Sequence, residues 1–269
     1  METIVRLPTT LCGVHAVAAD SDRHFHRHFH DEFGIGVIER GAQRSASGRG
    51  MTDAVAGELI MVNPGEVHDG APLGAASRAW HMLYFDPGRL AEQALDAGAA
   101  SGRQLEFTAP AARDPVLAQR FRRAFRLVTA PHLAATALAA DEACLLMLAR
   151  LLHRHCAPRL AVSNRSVALG RVQQQLDDDP AAPHSLDTLA REAGLGRFQL
   201  LRAFSRQTGL TPHQYLITRR VALARAQIVA GRPLADAALT AGFADQSHMT
   251  RAFVQRLGLR PGDFARAGR

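Results

Sequence analysis

The sequence predicts an α+β protein of two domains. The first is a small β-barrel with flanking helices, and the second is all-α, two helix-turn-helix units joined by a long helix. Three observations predict it: net charge confined to the C-terminal part, a helical segment there that repeats itself, and short glycine-bounded apolar runs in the first third. The 269 residues are enough for two domains that each bury a core. With 47% apolar and 21% charged residues, the composition is that of an ordinary soluble globular protein.

The chain has no lysine, so all 32 basic residues are arginine. Residues 1–163 hold 17 Arg against 17 Asp and Glu, whereas residues 164–269 hold 15 Arg against 8 acids. The whole net charge of +7 therefore lies in the second part, which is where a polyanion is expected to bind. No apolar run approaches the roughly 18 residues that span a bilayer. The N-terminal METIVRLPTT lacks a secretory pattern. Cys12, Cys144 and Cys156 are too few and too scattered for a disulfide framework, so a cytoplasmic protein without a membrane partner is expected.

Residues 1–110 are assigned to the barrel. Phe33–Gly41, Glu58–Asn63 and Ala79–Phe85 read as strands bounded by glycine and proline turns, in a β-rich stretch over residues 20–86. Residues 111–156 read as two helices that pack on the barrel or dimerise. Val116, Leu117, Phe121, Phe125 and Val128 fall on one stripe, and Leu138, Leu145, Leu148, Leu151 and Leu152 on the other. Residues 157–164 read as a linker.

Residues 165–269 carry the repeat. Leu186–Leu195 recurs as Leu234–Phe243, offset by 48 residues. At an offset of 49, Arg202 matches Arg251, Phe204 matches Phe253, Gly209 matches Gly258, Pro212 matches Pro261 and Tyr215 matches Phe264. Each copy reads as a short helix, a glycine turn at Gly194 or Gly242, and a polar second helix. Ser185, Thr211 and Asp245 are placed as N-caps, and the helix from Pro212 to Val229 holds the copies apart. Two such units in the only basic region predict a double-stranded DNA partner. Phe198, Gln199, Arg202 and Arg206 are the outward candidates on the first recognition helix, and Gln246, Ser247, His248, Thr250 and Arg251 on the second. Arginine can pair with guanine and glutamine with adenine through two hydrogen bonds. Arg206, Arg219, Arg220 and Arg256 are assigned to phosphates, with packing as the alternative for Arg219.

The string from Gly242 through Asp245, Gln246, Ser247, His248 and Arg251 to Phe253, followed by Gly258 and Pro261, resembles the second helix-turn-helix signature of the AraC/XylS family of transcription regulators. The first copy fits it too. The resemblance covers residues 165–267 and implies seven helices, two recognition helices in successive major grooves, and RNA polymerase and a second copy of the chain as partners. Gly57 through Asn63-Pro64-Gly65-Glu66-Val67-His68 resembles the second cupin motif, and His28-Phe29-His30 resembles the first. This implies the cupin-type sensor barrel found in members of that family.

A metal-dependent cupin enzyme with an appended helical domain is the competing reading. Metal-binding cupins place a glutamate four or five residues after the paired histidines, where this chain has Gly34 and Ile35. Pro72 stands four residues after His68. No metal, cofactor or catalytic residue is therefore expected. His28, His30, Glu32, His68, Trp80 and Tyr84, with His81 beside them, are assigned instead to a pocket for an unidentified small-molecule effector.

Overall fold

The computed structural model describes residues 3–74, 77–96, 105–130, 137–158 and 167–266. The β-rich part contains β1 (Thr3–Leu7), β2 (Val14–Ser21), β3 (Phe25–His28), β4 (Phe33–Arg40), β5 (Ala42–Ser47), β6 (Gly50–Val55), β7 (Leu59–Val62), β8 (His68–Pro72) and β9 (Arg78–Phe85). Then follow α1 (Pro87–Asp96), β10 (Leu105–Phe107), β11 (Ala111–Ala112), α2 (Pro115–Val128), α3 (Ala137–His155) and β12 (Cys156–Pro158). The helical part contains α4 (Val167–Asp178), α5 (Leu186–Glu192), α6 (Arg197–Thr208), α7 (Pro212–Val229), α8 (Leu234–Thr240), α9 (Gln246–Leu257) and α10 (Pro261–Arg266). Two compact units result, one from Met1–His24 and Phe29–Leu160, the other from Phe25–His28 and Ala161–Arg266.

The main strands form two sheets, ordered β1-β2-β9-β4-β7-β11 and β3-β8-β5-β6, with β10 and β12 as a separate pair. Successive strand residues point to opposite faces, and β4 shows the consequence. Phe33, Ile35 and Val37 join the apolar core that includes Phe121, Phe125, Met147 and Leu151 of α2 and α3. The residues between them, Gly34 and Gly36, face the other way. A Cβ on Gly36 would lie 2.1 Å from Met82 Sδ and 2.3 Å from the His81 carbonyl oxygen, so that side chain position is already filled from β9.

The strands over 33–41, 58–63 and 79–85 are where the alternation predicts them, but β1 and much of β2 lie before residue 20. Polar and small residues on β2 hide its period. The predicted helical stripes need correction. Val116 is 44% exposed because it sits about 100–140° around the helix from Leu117, Phe121 and Val128. On α3 the buried face is Ala140, Ala143, Cys144, Met147, Leu148 and Leu151, while Leu138 and Leu145 are exposed. The proposed linker also begins too early. Ala157 and Pro158 are in β12, paired with Glu106 and Leu105, and 159–164 lie outside the described residues.

Asp114 fixes the entry to α2. Its Oδ1 accepts from Leu117 N–H at 3.0 Å as the N-cap, and Arg150 donates to both carboxylate oxygens from α3. His155 Nε2 lies 3.0 Å from Oδ2. Burial alone would raise the carboxyl, but Arg150, the Leu117 amide and His155 overcome it and hold the group far below the usual carboxylate range.

Candidate nucleic-acid interface and ligand pocket

The repeat read from the sequence is a repeat of contacts. In the first helix-turn-helix, Ser185 Oγ accepts from Thr188 N–H at 3.0 Å to start α5, and Gly194 makes the turn at φ +64°. α6 ends at Gly209, in the left-handed conformation at φ +80°. In the second, Pro233 precedes α8, Gly242 turns at φ +81°, Asp245 Oδ1 accepts from His248 N–H at 2.6 Å, and α9 ends at Gly258. Phe204 meets Tyr215 edge-on at 5.6 Å, and their matched partners Phe253 and Phe264 meet in the same way at 5.5 Å. The two copies are thus held by one packing device used twice.

With Leu200 and Phe204 buried, the opposite face of α6 is free to meet a partner. Arg197, Phe198, Gln199, Arg202 and Arg206 are exposed, Phe198 to 80%. Gln199 Oε1 accepts from Gly196 N–H at 2.9 Å, so its amide also serves the N-terminus of α6. On α9, Met249, Ala252 and Phe253 are buried while Gln246, Ser247 and Arg251 are exposed. His248 and Thr250 are half-buried, and Thr250 Oγ1 donates back to Gln246 O at 2.8 Å. Arg202 and Arg251 occupy the same, sixth position of their helices.

Two arginines assigned to phosphates do other work. Arg256 is buried at 8%, and its Nε donates to Thr218 Oγ1 at 3.2 Å; burial pushes its guanidinium down to about 10. Arg220 donates to the carbonyls of Pro180 and Ala182, at 2.7 and 3.1 Å, and so ties α7 to the turn before α5. Both lie on faces that the sequence could not distinguish from solvated ones, because arginine stems pack as readily as they extend. Arg219 takes the packing alternative. It pairs with Asp177 at 3.1 Å, and Asp177 also accepts from the Tyr215 hydroxyl at 2.7 Å.

In the β-rich part, Arg78, Trp80, Met82 and Tyr84 alternate along one face of β9. Arg78 is fully buried, with its guanidinium carbon 4.6 Å from the Trp80 ring centroid. It donates to Gln43 Oε1 at 2.9 Å and to the carbonyl oxygens of Arg23 and Ser21 at 3.1 and 3.4 Å. Burial pushes it down to about 10, which leaves it charged at neutral pH. Tyr84 lies edge-on to His30 at 5.2 Å, and His30 lies 5.1 Å from the His68 ring. His28 ends β3 and is buried, with its Nδ1 2.7 Å from the His26 carbonyl oxygen. Burial also lowers the His68 imidazole's affinity for a proton. Glu32 is half-buried just before β4.

Residues 11–148 match the family model of the AraC-like ligand binding domain, and residues 189–267 match a helix-turn-helix domain model. The chain belongs to the AraC family. It is similar to an uncharacterized HTH-type transcriptional regulator, YbfI of Bacillus subtilis, with 28% identity over 84% of this chain and 81% of that one. It is 38% identical to the probable transcriptional regulator LumQ of Photobacterium leiognathi, over 29% of this chain and 32% of LumQ. Among solved structures, unsaturated fatty acid bound ToxT of Vibrio cholerae matches with a TM-score of 0.58 at 10% identity, covering 98% of this chain and 96% of ToxT. The likeness to ToxT is one of fold. The protein is a DNA-binding transcription regulator with an N-terminal ligand-binding domain, and nothing in these likenesses supports a cupin enzyme.

For this AraC-family regulator, two residues of the barrel face were missed from sequence and one was misplaced. His15 stacks on Tyr84 at 4.7 Å from its register partner position on β2. Arg78 was missed because it stands just before the apolar run of β9. His81 faces away from Trp80 and Tyr84. It stacks on Phe125 of α2 at 4.3 Å and lies 3.4 Å from Glu39, as the two-residue period requires.

Proposed function

We propose that the regulator reads two DNA sub-sites through α6 and α9 and responds to a small polar effector held between its β-sheets. The observation that carries this reading is the equivalence of Arg202 and Arg251, exposed at matched positions of two helices built by the same packing device. Phe198, Gln199, Arg202, Arg206, Gln246, Ser247, His248, Thr250 and Arg251 form the interface. Arg202 and Arg251 read base edges, and Arg206 meets phosphate. Residues 165–269 act as the DNA-binding domain, 1–110 as the sensor and 111–156 as its helical flank, and the linker begins only after β12.

The effector contacts His28, His30, Glu32, His68, Trp80 and Tyr84. The buried charge of Arg78 on the same face of β9 favours a ligand with an anionic or carbonyl group. ToxT, of the same fold, was solved with an unsaturated fatty acid, whose carboxylate would suit such a cation. The protein works in the cytoplasm without catalysis, as a homodimer that contacts RNA polymerase. The exposed Leu138 and Leu145 of α3 offer the apolar surface for the second copy. Selection of random duplexes by the purified protein tests the reading. It predicts two short preferred elements roughly one helical turn apart. Selection of no sequence, or of a single element, would refute it.

A further inference from the structure

We propose that Arg220 is a positioning residue for DNA recognition, which locks the two helix-turn-helix copies together and so sets the one spacing of sub-sites that the protein accepts; this rests on the reading of two sub-sites by α6 and α9. Each copy packs on α7, but at different levels of that helix. Tyr215, near its start, meets Phe204 of the first copy. Ile217, Val221, Ala224 and Ile228 share a core with Ala238, Phe243 and Phe253 of the second. Elements packed by apolar contact can shear past one another, whereas directional charged hydrogen bonds between them fix one arrangement.

At Arg220 the two copies meet directly. The guanidinium reaches from α7 to the turn that enters α5, where Nε donates to Pro180 O at 2.7 Å and Nη2 to Ala182 O at 3.1 Å. That turn is braced within itself. Ala182 N–H donates to Asp179 Oδ1 at 3.1 Å, and His184 Nε2 lies 2.7 Å from the Asp179 carbonyl oxygen. The turn glycine of the second copy closes on the same place. A Cβ on Gly242 would lie 2.7 Å from Ala181 Cα, 2.8 Å from Ala181 O and 3.0 Å from Arg220 Nε. Its counterpart in the first copy, Gly194, would meet nothing within 4 Å. The packing device is used twice and this junction once, so the junction serves the relation between the copies and not the fold of either. The planar guanidinium holds two carbonyls in a fixed fork that a lysine ammonium does not reproduce. Each base pair added between two sub-sites moves them about 3.4 Å further apart and rotates one by about 34–36°, so a locked pair of reading helices accepts one spacing.

Full-length wild type, Arg220→Lys and Arg220→Met, measured on duplexes that carry the two elements selected by the wild type, test the junction. The duplexes hold the selected spacing, or one base pair more or fewer. Melting curves establish that each variant is folded, and the lysine variant, which keeps charge and stem, serves if the methionine variant is not. A change of one base pair should cost the wild type about tenfold or more in affinity, and each variant less than about threefold. An unchanged ratio in the folded lysine variant would overturn the proposal. So would a uniform loss of affinity with a shallower salt dependence and the wild-type spacing ratio, the mark of a phosphate contact. A wild type that binds both elements equally at every spacing overturns the junction and leaves the two-helix reading standing. A wild type that selects a single element removes that reading, and the junction with it.

Discussion

Arg256 Nε donates to the Thr218 hydroxyl at 3.2 Å, across the junction of α9 with α7. An arginine in the basic half of a DNA-binding protein is thereby a fixture of the second helix-turn-helix and not a phosphate contact. Arg256→Ala should destabilise the helical domain by about 2–3 kcal/mol, since it removes a charged hydrogen bond and its packed stem. Arg206→Ala, at an exposed position, should change stability by less than about 0.5 kcal/mol. Urea unfolding followed by circular dichroism checks both. Equal stability of the two variants would contradict the assignment.

The two turn glycines should differ in their tolerance of alanine. Both have positive φ, but a Cβ on Gly194 meets nothing within 4 Å, while one on Gly242 would lie 2.7 Å from the Ala181 Cα. Gly194→Ala carries only the backbone strain, about 1 kcal/mol. Gly242→Ala adds a clash with backbone and should cost at least about 2–3 kcal/mol. Thermal unfolding of the pair decides the matter, and Gly194→Ala being the worse would refute it.

The helical half was legible because its information is local. Caps, turn glycines and a repeat at fixed offset are properties of neighbouring residues, and Ser185, Thr211, Gly209 and Gly258 act where the pattern puts them. The β-rich half was legible only where one face is strongly apolar, as on β4 and β9. β5 and β6, paired with each other and rich in polar residues, carry no such period. The same limit hid the roles of Arg78, Arg220 and Arg256, since burial of an arginine depends on distant strands and helices. His81 was misplaced by grouping neighbours on a strand without applying its alternation.

Asp114 should make the first domain acid-sensitive. Its folded pKa lies below the unfolded value of about 3.9, so the stabilisation is fully present above that value. It is lost as pH falls through the unfolded value towards the folded one. Asp114→Asn should therefore cost about 2–3 kcal/mol at pH 7, and the gap from wild type should narrow between about pH 5 and pH 2. Melting temperatures across that range check it. A gap that stays constant with pH would mean that Asp114 acts as a cap alone.

Binding to any duplex should weaken steeply as salt rises, because neutralising phosphates releases condensed counterions. Arg206→Ala should reduce the slope of log affinity against log salt by about one, with no change in sequence preference. Filter binding at several salt concentrations measures this. A slope that is flat for the wild type would remove the electrostatic basis of the interface.

Base-preference profiles of full-length Arg202→Ala and Arg251→Ala test whether the two equivalent helices read two separate sub-sites. Each variant should lose about 1–3 kcal/mol of specific affinity and relax preference in one element only, with the two elements roughly one helical turn apart. Loss of preference in the same element by both variants, or unchanged preference in either, would contradict two separate reading helices.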